Sequence, residues 1–135
     1  LSHEMVRSIK DVYRDREFDL VTCVPMHKDT LRKRGYNQAE LLAKECARIL
    51  GIEYADLLAK TKKNKTQHSI KAAERAKNVI GVYSPIDKNL IKGKRILIID
   101  DIITTGSTLG ECARILNKCK CGEICCCTLC TSLLI

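Results

Sequence analysis

The chain has 135 residues, of which 45% are hydrophobic and 30% charged, and it carries a formal net charge of +8. This length fits one domain with a sizeable core, and no apolar run reaches the roughly 20 residues that a membrane span needs. The first residues lack a signal-peptide pattern, which predicts a cytoplasmic protein. We expect a single domain over residues 1–135. Because the chain starts at Leu1 and opens directly on helical spacing, we also expect a fragment that lacks an upstream module.

The first third of the chain predicts a helix, a strand and a second helix. Helical spacing of apolar residues predicts a helix over residues 2–16, and residues 19–24 (DLVTCV) predict a strand. The apolar face of the first helix comprises Met5, Val6, Ile9, Val12 and Tyr13. A loop that carries Arg32, Lys33, Arg34 and Gly35 is expected after Pro25. The second helix is predicted over residues 37–50, with Asn37 as its N-cap.

The middle of the chain is strongly basic. Residues 60–77 lack an apolar face, and they predict a loop with a short helix near residues 69–77. Long irregular segments in compact domains usually serve as lids or stay disordered. His68 stands alone in this segment and is interpreted as a solvated side chain. Residues 79–83 (VIGVY) predict a short strand that stops before Pro85.

The last third of the chain predicts a strand, a helix and a second strand. Four apolar residues within 95–99 indicate a buried central strand, residues 108–118 have helical spacing, and residues 123–130 predict a last strand. Strands that alternate with helices are typical of a mostly parallel, open α/β sheet flanked by helices.

Cysteine is concentrated near the end of the chain. Six of the nine cysteines lie between residues 119 and 130, and the absence of a secretory signal argues against a disulfide framework. Only Cys127 and Cys130 have C-x-x-C spacing, and no second pair follows them. A metal site and a cysteine-rich buried strand both remain open, and the strand is favoured because free cysteine behaves as a small hydrophobe.

The most informative stretch is RILIIDDIITTGST, over residues 95–108. Ligands of open α/β sheets bind at the carboxyl ends of the strands, where Asp100 and Asp101 are expected. Small hydroxyl residues at the following helix N-terminus suit a phosphate, and the acidic pair suits sugar hydroxyls or a hydrated Mg²⁺. A response-regulator receiver domain is excluded because only 34 residues follow Asp101. A Walker A loop is excluded because no G-x-x-x-x-G-K-[ST] occurs.

Residues 96–108 resemble the phosphoribosyl pyrophosphate (PRPP) motif of the type I phosphoribosyltransferases at all thirteen positions. The stretch VPMHKDTLRKRGYNQAELLA, over residues 24–43, resembles the ComF-type branch of that family, which is associated with competence. Gln67, Arg75 and Asn78-Val79 fall where this branch carries a Q…R…N-V pattern. The resemblance covers residues 20–130. Full-length ComF proteins usually begin with a zinc ribbon, and this sequence contains none.

The resemblance implies a type I phosphoribosyltransferase fold and a set of site residues. Asp100 and Asp101 would be catalytic, holding the ribose hydroxyls and Mg²⁺. The 5′-phosphate would be bound by Thr104, Thr105, Gly106, Ser107 and Thr108. Pyrophosphate would be bound by Pro25, Met26, Arg32, Lys33, Arg34 and Arg75. The implied reaction is Mg²⁺-dependent displacement of pyrophosphate from PRPP by a nitrogenous acceptor, and the acceptor itself is not specified.

Two further functions stay open at this point. One is a ComF-type module that binds PRPP and single-stranded DNA in natural transformation, with a second copy or competence proteins as partners. The net charge fits this function, whereas five aromatic residues offer few platforms for bases. The other is a PRPP or nucleotide sensor that has lost catalysis.

Overall fold

The computed structural model describes residues 2–13, 16–61, 81–103 and 107–131. The helices are α1 (Ser2–Val12), α2 (Lys28–Arg34), α3 (Gln38–Leu50), α4 (Lys88–Ile91) and α5 (Ser107–Lys118). The strands are β1 (Leu20–Cys23), β2 (Glu53–Tyr54), β3 (Leu58–Lys60), β4 (Tyr83–Pro85), β5 (Arg95–Ile103) and β6 (Glu123–Thr131).

A four-stranded sheet with the order β2-β1-β5-β6 forms the centre of the molecule. All three of its pairings are parallel, and Leu20 and Cys23 of β1 lie opposite Ile96 and Ile99 of β5. Residues 96–99 are completely buried, because parallel sheets are covered on both faces and their strands are apolar throughout. The predicted mostly parallel sheet and its central strand are confirmed.

Successive residues of β5 enter two separate cores. Leu97 and Ile99 pack with α1 and α3, while Ile96 and Ile98 pack with α5 and with the strands β3 and β4. This alternation is the period of two that a strand imposes on its side chains. Helices therefore cover both faces of the sheet, and the carboxyl ends of β1 and β5 open on one edge between them.

Strands β3 and β4 form a separate antiparallel ribbon, with Leu58 opposite Pro85 and Lys60 opposite Tyr83. The prediction of a strand over residues 79–83 is wrong in position, because Gly81 and Val82 form a turn and the strand includes Pro85. Among the described residues β4 has one neighbouring strand, β3, and proline is tolerated in such an edge strand. The loop predicted over residues 60–77 is wrong at Lys60, which is the last residue of β3. Its residues 62–77, with the helix near residues 69–77, lie outside the described residues.

The predicted loop over residues 32–35 is wrong, because Lys28–Arg34 forms helix α2. The backbone N–H of Asp29 donates to Nδ1 of His27 at 3.1 Å, which caps the helix, and Gly35 ends it with a φ of +83°. None of the seven residues is buried. Hydrophobic spacing therefore carries no signal for α2, and histidine is not among the usual N-caps.

Helix α1 ends at Val12 rather than at residue 16. Met5, Val6 and Ile9 are buried as predicted, but Val12 is 71% exposed, so its placement on the apolar face is wrong. The chain turns away after Val12, and the hydroxyl of Tyr13 donates to the carbonyl of Cys126 in β6 at 3.2 Å. The hydrogen bond thus anchors the helix end to the sheet.

Strand β6 is confirmed where residues 123–130 predicted it. Cys125 is buried, and Cys126 and Cys127 are half-buried against opposite cores. Within the described ranges, no group of three or more His, Cys, Asp and Glu side chains could hold a metal ion. No helix in the same ranges is long and apolar enough to cross a membrane.

Candidate functional site

A cleft of about 310 Å³ opens where β1 ends beside β5. Cys23, the last residue of β1, pairs with Ile99, and the chain then turns away after the N–H of Val24 donates to the Ile99 carbonyl at 3.1 Å. Strand β5 continues along β6 with Asp100 opposite Thr128. The acidic pair thus lies within the strand and not after it, at the point where β5 loses its neighbour on the β1 side.

The cleft brings together several of the predicted site residues. Asp100 and Asp101 line it with Thr108 from the first turn of α5 and Arg34 from α2. The loop after β1 contributes its four consecutive residues Val24, Pro25, Met26 and His27. Four elements of the fold (β5, α5, α2 and the loop after β1) therefore contribute to one site at the carboxyl edge of the sheet, which is the expected place in an α/β fold.

Other predicted residues lie elsewhere. Arg32 and Lys33 are exposed on α2 and do not line the cleft, and an oxygen of Asp29 lies 3.7 Å from the Arg32 guanidinium. The structure gives the backbone of Ser107 but describes no side chain there. Thr104, Thr105, Gly106 and Arg75 fall outside the described residues. The roles assigned to these seven residues remain predictions.

The first carboxylate of the acidic pair, Asp100, is perturbed by its surroundings. Burial, together with the hydrogen bond to Asp101 and its charge, raises the pKa of Asp100 from 3.8 to about 7. The backbone N–H of Asp101 donates to Oδ1 of Asp100 at 2.9 Å, which partly offsets this effect. A cation in the cleft would favour the ionised form of Asp100.

This pKa predicts how stability depends on pH. A carboxyl group whose pKa is higher in the folded state stabilises the fold below about pH 4, and this contribution is lost as the pH rises through about 7. Asp100→Asn removes the ionisation. Without ligand, we expect the free energy of unfolding of the variant to rise by about 1–3 kcal/mol relative to that of the wild type as the pH increases from 5 to 8. Urea unfolding of both proteins at these two pH values measures this difference, and parallel profiles would contradict it.

Asn37 holds the loop after β1 in place. Its Nδ2 donates to the Val24 carbonyl at 3.2 Å, and its Oδ1 accepts from the N–H of Ala39 at 3.1 Å. One side chain thus caps α3 and fixes the wall of the cleft. The N-cap role was predicted and is confirmed, whereas the bond to Val24 joins segments whose proximity only the fold reveals.

Lys60 and Tyr83 complete the cleft from the ribbon side. They lie opposite each other in the β3–β4 register, with Nζ of Lys60 5.8 Å from the centre of the Tyr83 ring. Burial lowers the pKa of Lys60 and raises that of Tyr83. Sequence reasoning missed both residues, because Lys60 stands at the start of a long run of lysines and Tyr83 in an ordinary apolar run.

Comparison with known proteins agrees with this geometry. A family model described as a phosphoribosyl transferase domain matches residues 37–133. The chain belongs to the phosphoribosyltransferase family. It is similar to Competence protein F of Haemophilus influenzae, with 32% identity over 92% of this chain and 56% of the relative. It is also similar to the DNA utilization protein YhgH of Escherichia coli K12, with 30% identity over 74% of this chain and 44% of the relative.

The chain is also similar to Competence protein ComFC of Streptococcus pneumoniae, with 30% identity over 81% of this chain and 46% of the relative. The ComF-type resemblance is confirmed by these relatives. The chain spans about half the length of the curated relatives that it matches.

Solved phosphoribosyltransferases share the fold. Adenine phosphoribosyltransferase from Saccharomyces cerevisiae superposes with a TM-score of 0.62 at 16% identity, covering 99% of this chain and 70% of the enzyme. Purine phosphoribosyltransferase from Pyrococcus horikoshii superposes with a TM-score of 0.60 at 17% identity, covering 96% of this chain and 72% of the enzyme. At such identities the likeness shows the fold alone, and it confirms the expected type I phosphoribosyltransferase fold.

Proposed function

We propose that this domain binds PRPP with Mg²⁺ in the cleft and transfers its phosphoribosyl group to a nitrogenous acceptor, with release of pyrophosphate. The observation that carries the proposal is that Asp100, Asp101 and Thr108 line one cleft with the loop after β1. These are the three parts that a phosphorylated sugar with a pyrophosphate arm requires: hydroxyl acceptors, a helix N-terminus and a second anion site.

The phosphate end of PRPP fits the start of α5. Thr108 lies in the first turn of this helix of 12 residues, where backbone N–H groups and the helix dipole favour an anion. The hydroxyl of Thr108 adds a donor that lines the cleft. The 5′-phosphate would be bound here, in the same cleft as the acidic pair.

The acidic pair suits the ribose hydroxyls and Mg²⁺. Two carboxylates are the hard oxygen donors that Mg²⁺ prefers, and a positive charge beside Asp100 would offset the burial that raises its pKa. Asp100 and Asp101 would hold the ion, and when bound it would neutralise the departing pyrophosphate.

The cations of the cleft would act on the leaving group. Arg34 from α2 and Lys60 from the ribbon line the cleft together with the loop after β1. In the reaction the C1–O bond breaks, its electron pair leaves with pyrophosphate, and the acceptor nitrogen forms the new C1–N bond. Positive charge near the departing oxygen stabilises that transition state.

Calorimetric titration with PRPP, with and without Mg²⁺, tests the binding step. We expect saturable binding with one site and a large loss of affinity without Mg²⁺. A screen of nucleobases for PRPP-dependent pyrophosphate release then tests transfer. A folded protein that does not bind PRPP contradicts the proposal as a whole, whereas binding without release in any acceptor reaction favours a sensor.

A second candidate function is single-stranded DNA binding in the cytoplasm during DNA uptake. It is supported by the names of the relatives, which refer to competence and DNA utilization, and by the net charge of +8. Replacement of Lys62, Lys63 and Lys65 by alanine is expected to weaken single-strand binding about tenfold and to flatten its salt dependence. Fluorescence titration of a labelled oligonucleotide over a range of salt concentrations measures both effects.

The control for this experiment carries the same loss of charge at scattered positions. Lys44, Lys92 and Lys118 are exposed on separate parts of the fold. Their replacement by alanine should reduce the salt slope much less, since no shared binding surface is removed. Equal slopes in the two triple variants would count against a DNA site in this segment.

A further inference from the structure

A groove of about 250 Å³ lies beside strand β4 and is called the β4 groove below. All three residues of β4 line it, and Ile115 and Cys119 of α5 add apolar surface. The acidic pair of the cleft does not line it. The volume is below the range of small-molecule sites, about 300–1,000 Å³, so the groove is too small to enclose such a ligand. It suits a short stretch of an extended chain.

Among the described residues, every charged side chain that lines the β4 groove is basic. Lys88 belongs to α4, whereas Arg114 and Lys118 lie four residues apart on α5 and therefore on one face of that helix. Lys88 and Lys118 are exposed, and neither forms an ion pair with another described residue. Three cations without a lining carboxylate favour an anionic ligand.

A buried carboxylate holds Arg114 in place. Glu111, one turn earlier on α5, is 5% exposed. Nε of Arg114 donates to one oxygen of this carboxylate, and Nη2 donates to the other at 3.2 Å. Nη1 forms no hydrogen bond with another described residue, so it is left to donate to a ligand. Glu111 offsets the charge of Arg114, so the net positive charge of the groove comes from the two lysines. Because the arginine is already fixed, it loses little conformational freedom on binding.

Strand β4 also has a backbone edge without a partner strand among the described residues. The carbonyl of Val82 accepts from the β3 side at 2.7 Å, and the N–H of Ile86 donates to that side at 3.0 Å. Because backbone groups alternate in direction along a strand, the N–H and carbonyl of Tyr83 and the carbonyl of Pro85 point away from β3. Neither group of Tyr83 bonds to the backbone of another described residue. An extended peptide can therefore add to this edge as a further strand.

We propose that the β4 groove docks an acidic segment of another protein. The segment adds to β4 as a short strand, places carboxylates against Lys88, Arg114 and Lys118, and packs one apolar side chain against Ile115. A free phosphate or a nucleic acid backbone would use the cations, but it would use neither the open strand edge nor the apolar residues, so the three observations together favour a peptide. The docking site does not depend on whether the cleft binds PRPP.

The probe is a fluorescein-labelled peptide with a central leucine and three aspartates on each side, titrated with the full chain by fluorescence anisotropy. Combined Lys88→Glu and Lys118→Glu should weaken its binding about tenfold or more. Combined Lys10→Glu and Lys44→Glu makes the same change of net charge at exposed positions of α1 and α3, and it should keep most of the affinity. Equal losses in the two double variants, or no binding to the folded wild type, would overturn the proposal.

Changes in the peptide test the same contacts on the wild-type protein. Two peptides carry N-methyl groups on alternate backbone amides, one at odd and one at even positions. Since only every second N–H of a strand faces its neighbour, one of these peptides should lose most of its affinity and the other should keep it. Serine in place of the leucine should weaken binding about tenfold. Equal effects of the two methylations would overturn the addition of a strand. An oligothymidine that displaces the peptide and itself depends on Lys88 and Lys118 would make the groove a nucleic-acid surface and overturn the proposal.

Discussion

Asp101→Asn is expected to weaken PRPP binding about a hundredfold, which corresponds to about 2.7 kcal/mol. A neutral amide cannot balance Mg²⁺, and it loses one of the two carboxylates that would hold the ribose hydroxyls. Titration calorimetry at pH 8 with saturating Mg²⁺ measures the effect. Asp11→Asn, an exposed carboxylate on α1, is the matched control and should bind like wild type. An unchanged dissociation constant for Asp101→Asn would place PRPP outside the cleft.

The companion variant Asp100→Asn should show an effect that depends on pH. Because the pKa of Asp100 is about 7 in the unliganded protein, the side chain is largely neutral at pH 6. PRPP and Mg²⁺ must then displace a proton, so the wild type gains affinity as the pH rises, and the amide variant does not. The ratio of the two affinities should widen from pH 6 to pH 8, and a constant ratio would contradict this account.

Asn37→Ala is expected to lower the free energy of unfolding by about 2 kcal/mol. About half of this loss comes from the N-cap of α3 and about half from the Val24 carbonyl that loses its donor. PRPP affinity should also fall, because the loop after β1 is no longer held. Chemical denaturation and calorimetry measure these two effects.

Asn37→Asp separates the two roles of this side chain. Aspartate is as good an N-cap as asparagine but has no N–H to donate to Val24. We expect this variant to recover about half of the lost stability, the part due to the N-cap, while PRPP binding stays weak. Full recovery of both the stability and the PRPP affinity would show that only the N-cap role of Asn37 matters.

The parts of the fold that follow from local patterns were predictable. Residues 96–99 and the helix α3 combine a clear period with recognisable ends, and both are where the sequence indicates. Helix α2 was not predictable in this way, because it buries none of its residues and its cap is a histidine. The ribbon strands have three residues each, too few to show a period.

The residues of the site likewise differ in whether the sequence alone could predict them. The acidic pair and Thr108 are adjacent in one motif, so the sequence alone places them together. Lys60 and Asn37 reach the cleft from separate segments, and their contacts depend on packing between distant parts of the chain. The high pKa of Asp100 likewise has burial as its largest cause, and burial is a property of the completed fold.

The pairing of β1 with β5 has a consequence for how the chain folds. The side chain of Asp19 accepts from the backbone N–H of Arg95 at 2.8 Å across a separation of 76 residues. On the ribosome, β1 therefore has no central partner until more than half of the chain has been synthesised. Contacts between residues so far apart in the sequence form slowly, and the apolar strand β1 stays exposed until they form. We expect refolding to be slow and the newly made chain to depend on chaperones that shield β1 until β5 arrives.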